Sequence, residues 1–292
     1  MDTAPGPEHD RAVLDAEALD DAARAAIELI DLGCGPGRSL RGAMRRFDAR
    51  GIGIERHPGK VRKGQAEGLP VYRADILEMD LEAFPNVQYV TIDNVLEHLP
   101  TLDAVEALVA TSIRLAKRVV HIRHPSFEDV DYLAGLGLKQ YWTDWPGVHT
   151  APVRLHEFVA MANRAGVYRI LIHPVRRALD ASDPTILPID APPGQHREDR
   201  SAYTAVHGVY DPERHGAKPA VTFDRPVYFA FDILLITGPT VPQLTYRDDP
   251  EASGKRPWLT WPGDRPVPKV PVRAAVDRAR MRAAFARRSR AT

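Results

Sequence analysis

The stretch that most constrains this chain is Ile27-Glu28-Leu29-Ile30-Asp31-Leu32-Gly33-Cys34-Gly35-Pro36-Gly37. An apolar run ends in a carboxylate and then in three glycines at alternate positions. This pattern predicts a buried strand, Ile27 to Ile30, that turns sharply into a helix beginning near Arg38. Glycines at such a turn allow positive φ and let a ligand approach the backbone. The dinucleotide fingerprint G-x-G-x-x-G would need glycine at position 38, where the chain has Arg38, so the spacing is D-x-G-x-G-x-G. The alternative is a glycine-rich strand–helix turn that holds no ligand.

Composition narrows the classes. The 292 residues suffice for one large or two small domains. Lys+Arg 39 balances Asp+Glu 39, so no global field draws the chain to nucleic acid or an acidic membrane. The single cysteine, Cys34, rules out an internal disulfide and a cysteine-based zinc site, and its place in the turn suits a small packing residue. The start, Met1-Asp2-Thr3-Ala4-Pro5, lacks the basic and apolar regions of a signal peptide, and no apolar run reaches the roughly 18 residues of a membrane span. A cytoplasmic protein is the expectation.

The spacing of Val13, Leu14, Leu19, Ala22 and Ala26 predicts a helix from Asp10 to about Ala26. Leu40, Met44 and Phe47 continue the helix after the turn. Gly51-Ile52-Gly53-Ile54-Glu55 reads as a second buried strand with an acid at its C-terminal end, where a carboxylate can accept bonds from both ribose hydroxyls. Arg56 to Gly68 holds a helix or loop, and Pro70 to Ile76 a short strand leading into Asp75. Val87 to Asp93 is the fourth strand, running into Asn94-Val95-Leu96-Glu97-His98-Leu99-Pro100.

On these residues the chain resembles class I S-adenosylmethionine (SAM) methyltransferases. Asp31-Leu32-Gly33-Cys34-Gly35-Pro36-Gly37 is similar to their first motif, and Val95-Leu96-Glu97-His98-Leu99 resembles a segment of members acting on quinones, sugars and other small molecules. The resemblance spans about residues 27 to 175. It implies SAM as cofactor, with Asp31 toward the amino group of the methionine moiety. Gly33, Cys34, Gly35 and Gly37 would form the turn beneath it, with Glu55 and Arg56 at the ribose. Asp75 would take the adenine amino group, Ile76 would pack on the ring, and Asp93 and Asn94 would line the cofactor near the methyl group. For Asp75, capping of a helix near Leu77 is the alternative.

Thr101 to Lys117 is helical by its apolar spacing, and Arg118 to Pro125 forms the fifth strand, with His124 at the end where ligands sit in open α/β sheets. Tyr141 to Thr150 is an aromatic loop that must bury Trp142 and Trp145, and it precedes a helix from Arg154 to Ala165. The sixth strand, Val167 to Pro174, and the seventh, Val227 to Ile236, are separated by a Pro-, Asp- and His-rich connection read as an insertion (176–225) able to form a substrate lid. Beyond Gly238 the chain is Pro-rich, and Val272 to Arg288 reads as a basic helix.

The expected fold is therefore a Rossmann-like, doubly wound α/β sheet of seven mainly parallel strands with one antiparallel strand, 227–236, beside the sixth. Residues 1–26 form a cap segment, 27–238 the catalytic domain and 239–292 an extension. The expected activity is transfer of a methyl group from SAM to a hydroxyl of a small molecule such as a sugar or secondary metabolite. His149, His124 and His98 are the candidate acceptor-side bases, with hydrogen-bonding of the loop backbone the alternative for His149. Asn94, Glu97 and His98 have the spacing of one helical face, and small-RNA 2′-O-methyltransferases carry a similar metal cluster with another His downstream before the next helix, a place that suits His149. Asn94 stands there in place of an acid, so no metal ligand is assigned. Neither nucleic acid nor membrane is an expected partner, and the extension leaves a homodimer open. Two other functions stay open: a non-catalytic SAM-binding or scaffolding protein, and a metal-assisted RNA 2′-O-methyltransferase.

Overall fold

The computed structural model describes residues 14–194 and 211–239, together with the backbone of 259–261. In chain order the elements are α1 (Asp21–Ala25), β1 (Leu29–Leu32), α2 (Arg38–Phe47), β2 (Gly51–Glu55), α3 (Pro58–Ala66), β3 (Val71–Arg73), β4 (Tyr89–Asp93), α4 (Leu102–Leu115) and β5 (Val119–Pro125). There follow α5 (Val130–Gly135), β6 (Leu138–Gln140), α6 (Leu155–Arg164), β7 (Ile170–Asp180), β8 (Ile186–Pro188), α7 (Pro212–His215), β9 (Thr222–Ile236) and β10 (Leu259–Trp261).

Eight strands form one sheet in the order β10-β7-β9-β5-β4-β1-β2-β3, and β6 and β8 pair separately. β1 runs parallel to both β2 and β4, and β2 runs parallel to β3, whereas β10 is antiparallel to β7. The architecture is thus a mixed α/β sheet of Rossmann type. The seven strands expected from sequence hold seven consecutive places, and Val227 to Ile236 lies in the sheet beside the sixth strand as expected. The eighth, β10, extends the edge beyond them.

The chain divides into two compact units. Among the described residues, one comprises 14–95, 107–122 and 234–239; the other comprises 96–106, 123–194, 211–233 and 259–261. In the first, β1 is buried at every position, because strands flank it on both sides and its two faces are covered. Such a strand reads as a continuous apolar run rather than an alternating one. In the second, Leu133, Leu138, Ala178, Ile186, Phe223 and Val227 build a core around the β6–β8 pair.

Four expectations are corrected. The helix from Asp10 to Ala26 is broken: within the described residues a single 3-10 turn at Ala16–Ala18 precedes α1. Asp20 is the cause. Its side chain accepts the Ala23 N–H at 2.7 Å while its own backbone is extended, which starts a new helix and ends any earlier one. Second, Asn94 takes a left-handed φ of 52°, and Leu96–His98 forms one 3-10 turn, so Asn94 does not share an α-helical face with Glu97 and His98. Third, no regular helix starts near Leu77; Asp75 instead closes a local turn through the Leu77 N–H at 2.9 Å. Fourth, β7 and β9 run further than the sixth and seventh strands were expected to, so 176–180 and 222–225 belong to the sheet rather than to an insertion. Within the shortened connection, β8 pairs with β6. The predicted basic helix from Val272 to Arg288 lies outside the described residues.

No helix among the described residues is long and apolar enough to cross a membrane.

Candidate functional site

The first unit gathers every residue assigned to the cofactor. β1 carries Asp31 into full burial, with Thr91 of β4 and Gly53 of β2 as its neighbours in register. Thr91 Oγ1 donates to Asp31 Oδ1 and Ser39 Oγ to Oδ2, both at 2.6 Å. Burial nevertheless pushes the Asp31 carboxyl from 3.8 up to about 7, against the pull of these hydroxyls. Neither Ser39 nor Thr91 was singled out from sequence. A hydroxyl in the turn of α2 facing a strand-end acid was the available signal.

After β1 the chain passes through Gly33, Gly35 and Gly37, all with positive φ, before α2 begins at Arg38. Two of them are required for different reasons. A Cβ on Gly33 would lie 2.6 Å from a Val95 methyl, so close packing excludes one. A Cβ on Gly35 would meet no atom within 4 Å, so this glycine serves its left-handed backbone, φ 57°, and leaves the space above it open. Cys34 is buried, and burial together with the nearby Asp31 and Glu55 carboxylates pushes its thiol far up, in keeping with a packing residue.

Glu55, at the end of β2, is buried and binds the glycine turn directly. Its Oε2 accepts the Gly35 N–H at 3.0 Å and its Oε1 the His57 N–H at 2.8 Å. A carboxylate offers about four acceptor positions, so two remain for a vicinal diol. Arg56 is exposed, Asp75, Ile76 and Asp93 are half-buried, and Asn94 is exposed with its side-chain amide donating to Asp93 at 2.8 Å.

The second unit brings together the three histidines. Glu97 is 2 % exposed, and its Oε1 lies 3.9 Å from His98 Nε2. His124, at the end of β5, is buried beside it, with Nδ1 3.4 Å from Glu97 Oε2, but hydrogen-bond geometry is lacking on that oxygen and on both His124 nitrogens. His149 lies with its ring centroid 4.8 Å from that of His98 and 5.0 Å from Trp145. Its Nδ1 is 2.7 Å from the Trp142 carbonyl, and His98 Nδ1 is 3.0 Å from the Val148 carbonyl. A carbonyl can only accept, so each Nδ1 carries a proton, and Nε2 presents a lone pair when the ring is neutral. Burial holds His149 below the ordinary histidine range, against the pull of Glu97 and the Trp142 carbonyl. Burial also works against the Glu97 charge, yet the adjacent His124 and His98 rings hold its carboxyl below the ordinary glutamate range.

The aromatic loop is anchored as its composition demanded. Trp142 is buried, donates its indole N–H to the Ser126 carbonyl at 2.9 Å and packs edge-on against Phe229. A further polar pair was missed from sequence: Arg123 on β5 grips the buried Asp232 on β9 through two bonds of 2.8 and 2.7 Å.

The doubly wound sheet, with its glycine turn and strand-end acids, defines the class of fold. Residues 14–131 match the family model of the methionine biosynthesis protein MetW. No curated protein matches the chain. Among solved structures, one described as a SAM-dependent methyltransferase from Archaeoglobus fulgidus is 15% identical, over 73% of this chain and 87% of its own, with a TM-score of 0.48. Magnesium protoporphyrin IX methyltransferase from Synechocystis, solved with bound S-adenosylhomocysteine, is 16% identical over 55% of this chain and 70% of its own, with a TM-score of 0.36. An amino pentose methyltransferase from Micromonospora echinaspora, solved with SAM, is 24% identical over 36% of this chain and 45% of its own, with a TM-score of 0.31.

Proposed function

We propose that the protein binds SAM in its first unit and transfers the methyl group to a hydroxyl of a small molecule. The observation that carries this reading is the open space above Gly35, in a turn whose amide is held by Glu55. A backbone held in that shape accepts a nucleoside whose diol reaches the two acceptor positions left on Glu55. Asp31 braces the turn from beneath through Ser39, Asp75 and Ile76 take the adenine, and Asp93 and Asn94 line the methionine end. Arg56 flanks the ribose. The balanced charge of the chain favours a small acceptor over a polyanion.

Methyl transfer from a sulfonium is an in-line displacement. The acceptor oxygen forms the new carbon–oxygen bond as the carbon–sulfur bond breaks. Sulfur keeps the electron pair and becomes a neutral thioether, and the acceptor proton leaves to a base. The protein's contribution is alignment of the two reactants, with removal of that proton assigned to the cluster of His98, His124 and His149.

Calorimetry with SAM, S-adenosylhomocysteine and NAD tests the cofactor. The two sulfur nucleosides are expected to bind and NAD is not. Glu55→Gln, with folding checked by circular dichroism, is expected to weaken SAM by roughly 1.5–3 kcal/mol through weakened bonds to a charged group. Unchanged SAM affinity removes Glu55 from the site, and binding of NAD in place of SAM defeats the reading.

A further inference from the structure

We propose that Ser39 is a positioning residue for the cofactor, and that its one hydroxyl proton passes between the Asp31 carboxylate and the Cys34 carbonyl as Asp31 loses or gains a proton. Ser39 Oγ stands 2.6 Å from Asp31 Oδ2 and 3.2 Å from the Cys34 oxygen. A serine hydroxyl has one proton to give and can accept as well, so it serves one of these two acceptors at a time. The inference rests on SAM binding in the first unit and concerns how that site is held.

The peptide joining Cys34 to Gly35 is the part of the turn that this choice affects. Its N–H is held by Glu55 Oε2 at 3.0 Å, the carboxylate assigned to the ribose. Its carbonyl oxygen accepts the Gly37 N–H at 3.0 Å, which leaves one lone pair for Ser39. Ser39 and Glu55 therefore face opposite ends of one peptide plane, and over Gly35 the space is open.

The arrangement has two states. With Asp31 ionised, the Ser39 and Thr91 hydroxyls both donate to it, and the Cys34 carbonyl keeps only the Gly37 bond. With Asp31 protonated on Oδ2, the new O–H donates to Ser39 Oγ, and the Ser39 proton turns to the Cys34 carbonyl. Thr91 donates to Oδ1 in both states. The change needs only a hydroxyl rotation and a slight closing of the 3.2 Å gap, and it adds a bond at the carbonyl end of the Cys34–Gly35 peptide.

The groups around Asp31 place this change near neutral pH. Burial holds the proton on and Asp93 of β4 adds to it, while the two hydroxyls and Arg46 of α2 pull the other way, for a pKa of about 7. Gly53 of β2, opposite in register, brings no charge. A peptide held at both ends keeps Glu55 and the open turn in one shape for the nucleoside, so affinity is expected to fall as pH rises through about 7. Direct contact of the Asp31 carboxylate with the ammonium of the ligand predicts the opposite sign, since ionisation would strengthen it.

The test is calorimetry with S-adenosylhomocysteine, which lacks the sulfonium charge, from about pH 5.5 to about pH 8.5. Wild-type affinity is expected to be about 2–10-fold weaker at the upper end, the worth of one neutral hydrogen bond. Ser39→Ala, with folding checked by circular dichroism, is expected to bind at every pH as weakly as the wild type does at the upper end. Ser39→Thr is expected to restore the pH dependence, and Asp31→Asn to remove it. Histidine titrates in the same range, and His57 caps α3 while its N–H donates to Glu55. His57→Asn keeps a capping acceptor and is expected to keep the pH dependence. In heteronuclear NMR of the ligand-free chain, the Gly35 amide is expected to follow pH through about 7 in the wild type and much less in Ser39→Ala. An affinity that is flat or rises with pH overturns this proposal alone, as does a Gly35 amide that follows pH equally in both chains. Absence of binding at every pH removes the proposal together with the reading it rests on.

Discussion

At the scale of the residue, Asp31 places a carboxyl where its neighbours along the strand are apolar, and its raised pKa has a consequence for pH. The folded chain keeps a proton up to about pH 7 that the unfolded chain releases near 3.8. Between those values the native state binds more protons, so stability from this group is greatest below about pH 4 and is lost as pH rises toward 7. Urea unfolding at pH 5 and pH 8 is expected to show a drop that Asp31→Asn removes, since the amide fills the same space without charge. The glycines separate by the same local reasoning. Gly35→Ala adds a methyl in open space at positive φ, so it costs about 1–2 kcal/mol of backbone strain. Gly33→Ala adds to that strain an overlap with Val95, worth a further 1–3 kcal/mol or so of overpacking. Thermal melts are expected to rank Gly33→Ala as the less stable, while Gly35→Ala is expected to lose more SAM affinity than stability.

At the scale of the element, what sequence revealed and what it hid have physical reasons. β1, β2, β4 and the second half of β9 were legible because strands buried on both faces leave near-continuous apolar runs, and α4 and α6 because their apolar spacing persists for about three turns. The three-residue strands β6, β8 and β10 carry too few residues to show a period. Asp20 was read as one more acid in a helix because a capping role shows only in backbone angles. Arg123 and Asp232 stand 109 positions apart, and nothing local announces that they meet. Their pair gives a prediction. Arg123→Met removes the two bonds that the guanidinium gives a nearly fully buried carboxylate and is expected to cost about 3 kcal/mol, while the double change Arg123→Met, Asp232→Leu is expected to recover most of it. A double-mutant cycle in urea measures both.

At the scale of the whole molecule, the candidate cofactor residues of the first unit could be picked out together because a local turn and successive strand ends supply them. The histidine cluster was legible only in parts. His98, His124 and His149 were each noted, but Glu97, which lies beside His98 and His124, was noted only for its helical spacing with Asn94 and His98. The carbonyls of Val148 and Trp142 that orient His98 and His149 belong to the backbone, which no side-chain pattern encodes.

The sheet order also leaves β3 at an edge of the sheet, and the segment ahead of α1 is tied to it. The Leu14 carbonyl accepts the Arg73 N–H at 2.8 Å, Asp15 bridges Arg73 in parallel, and its carboxylate holds the Arg73 guanidinium at 2.7 Å. This short strap occupies backbone groups that would otherwise template pairing with another chain. Deleting the residues through Asp15 is therefore expected to cost little folding stability but to promote self-association, seen as larger species in sedimentation velocity. A truncated chain that stays as monodisperse as the full-length protein would show that the short length of β3 protects the edge by itself.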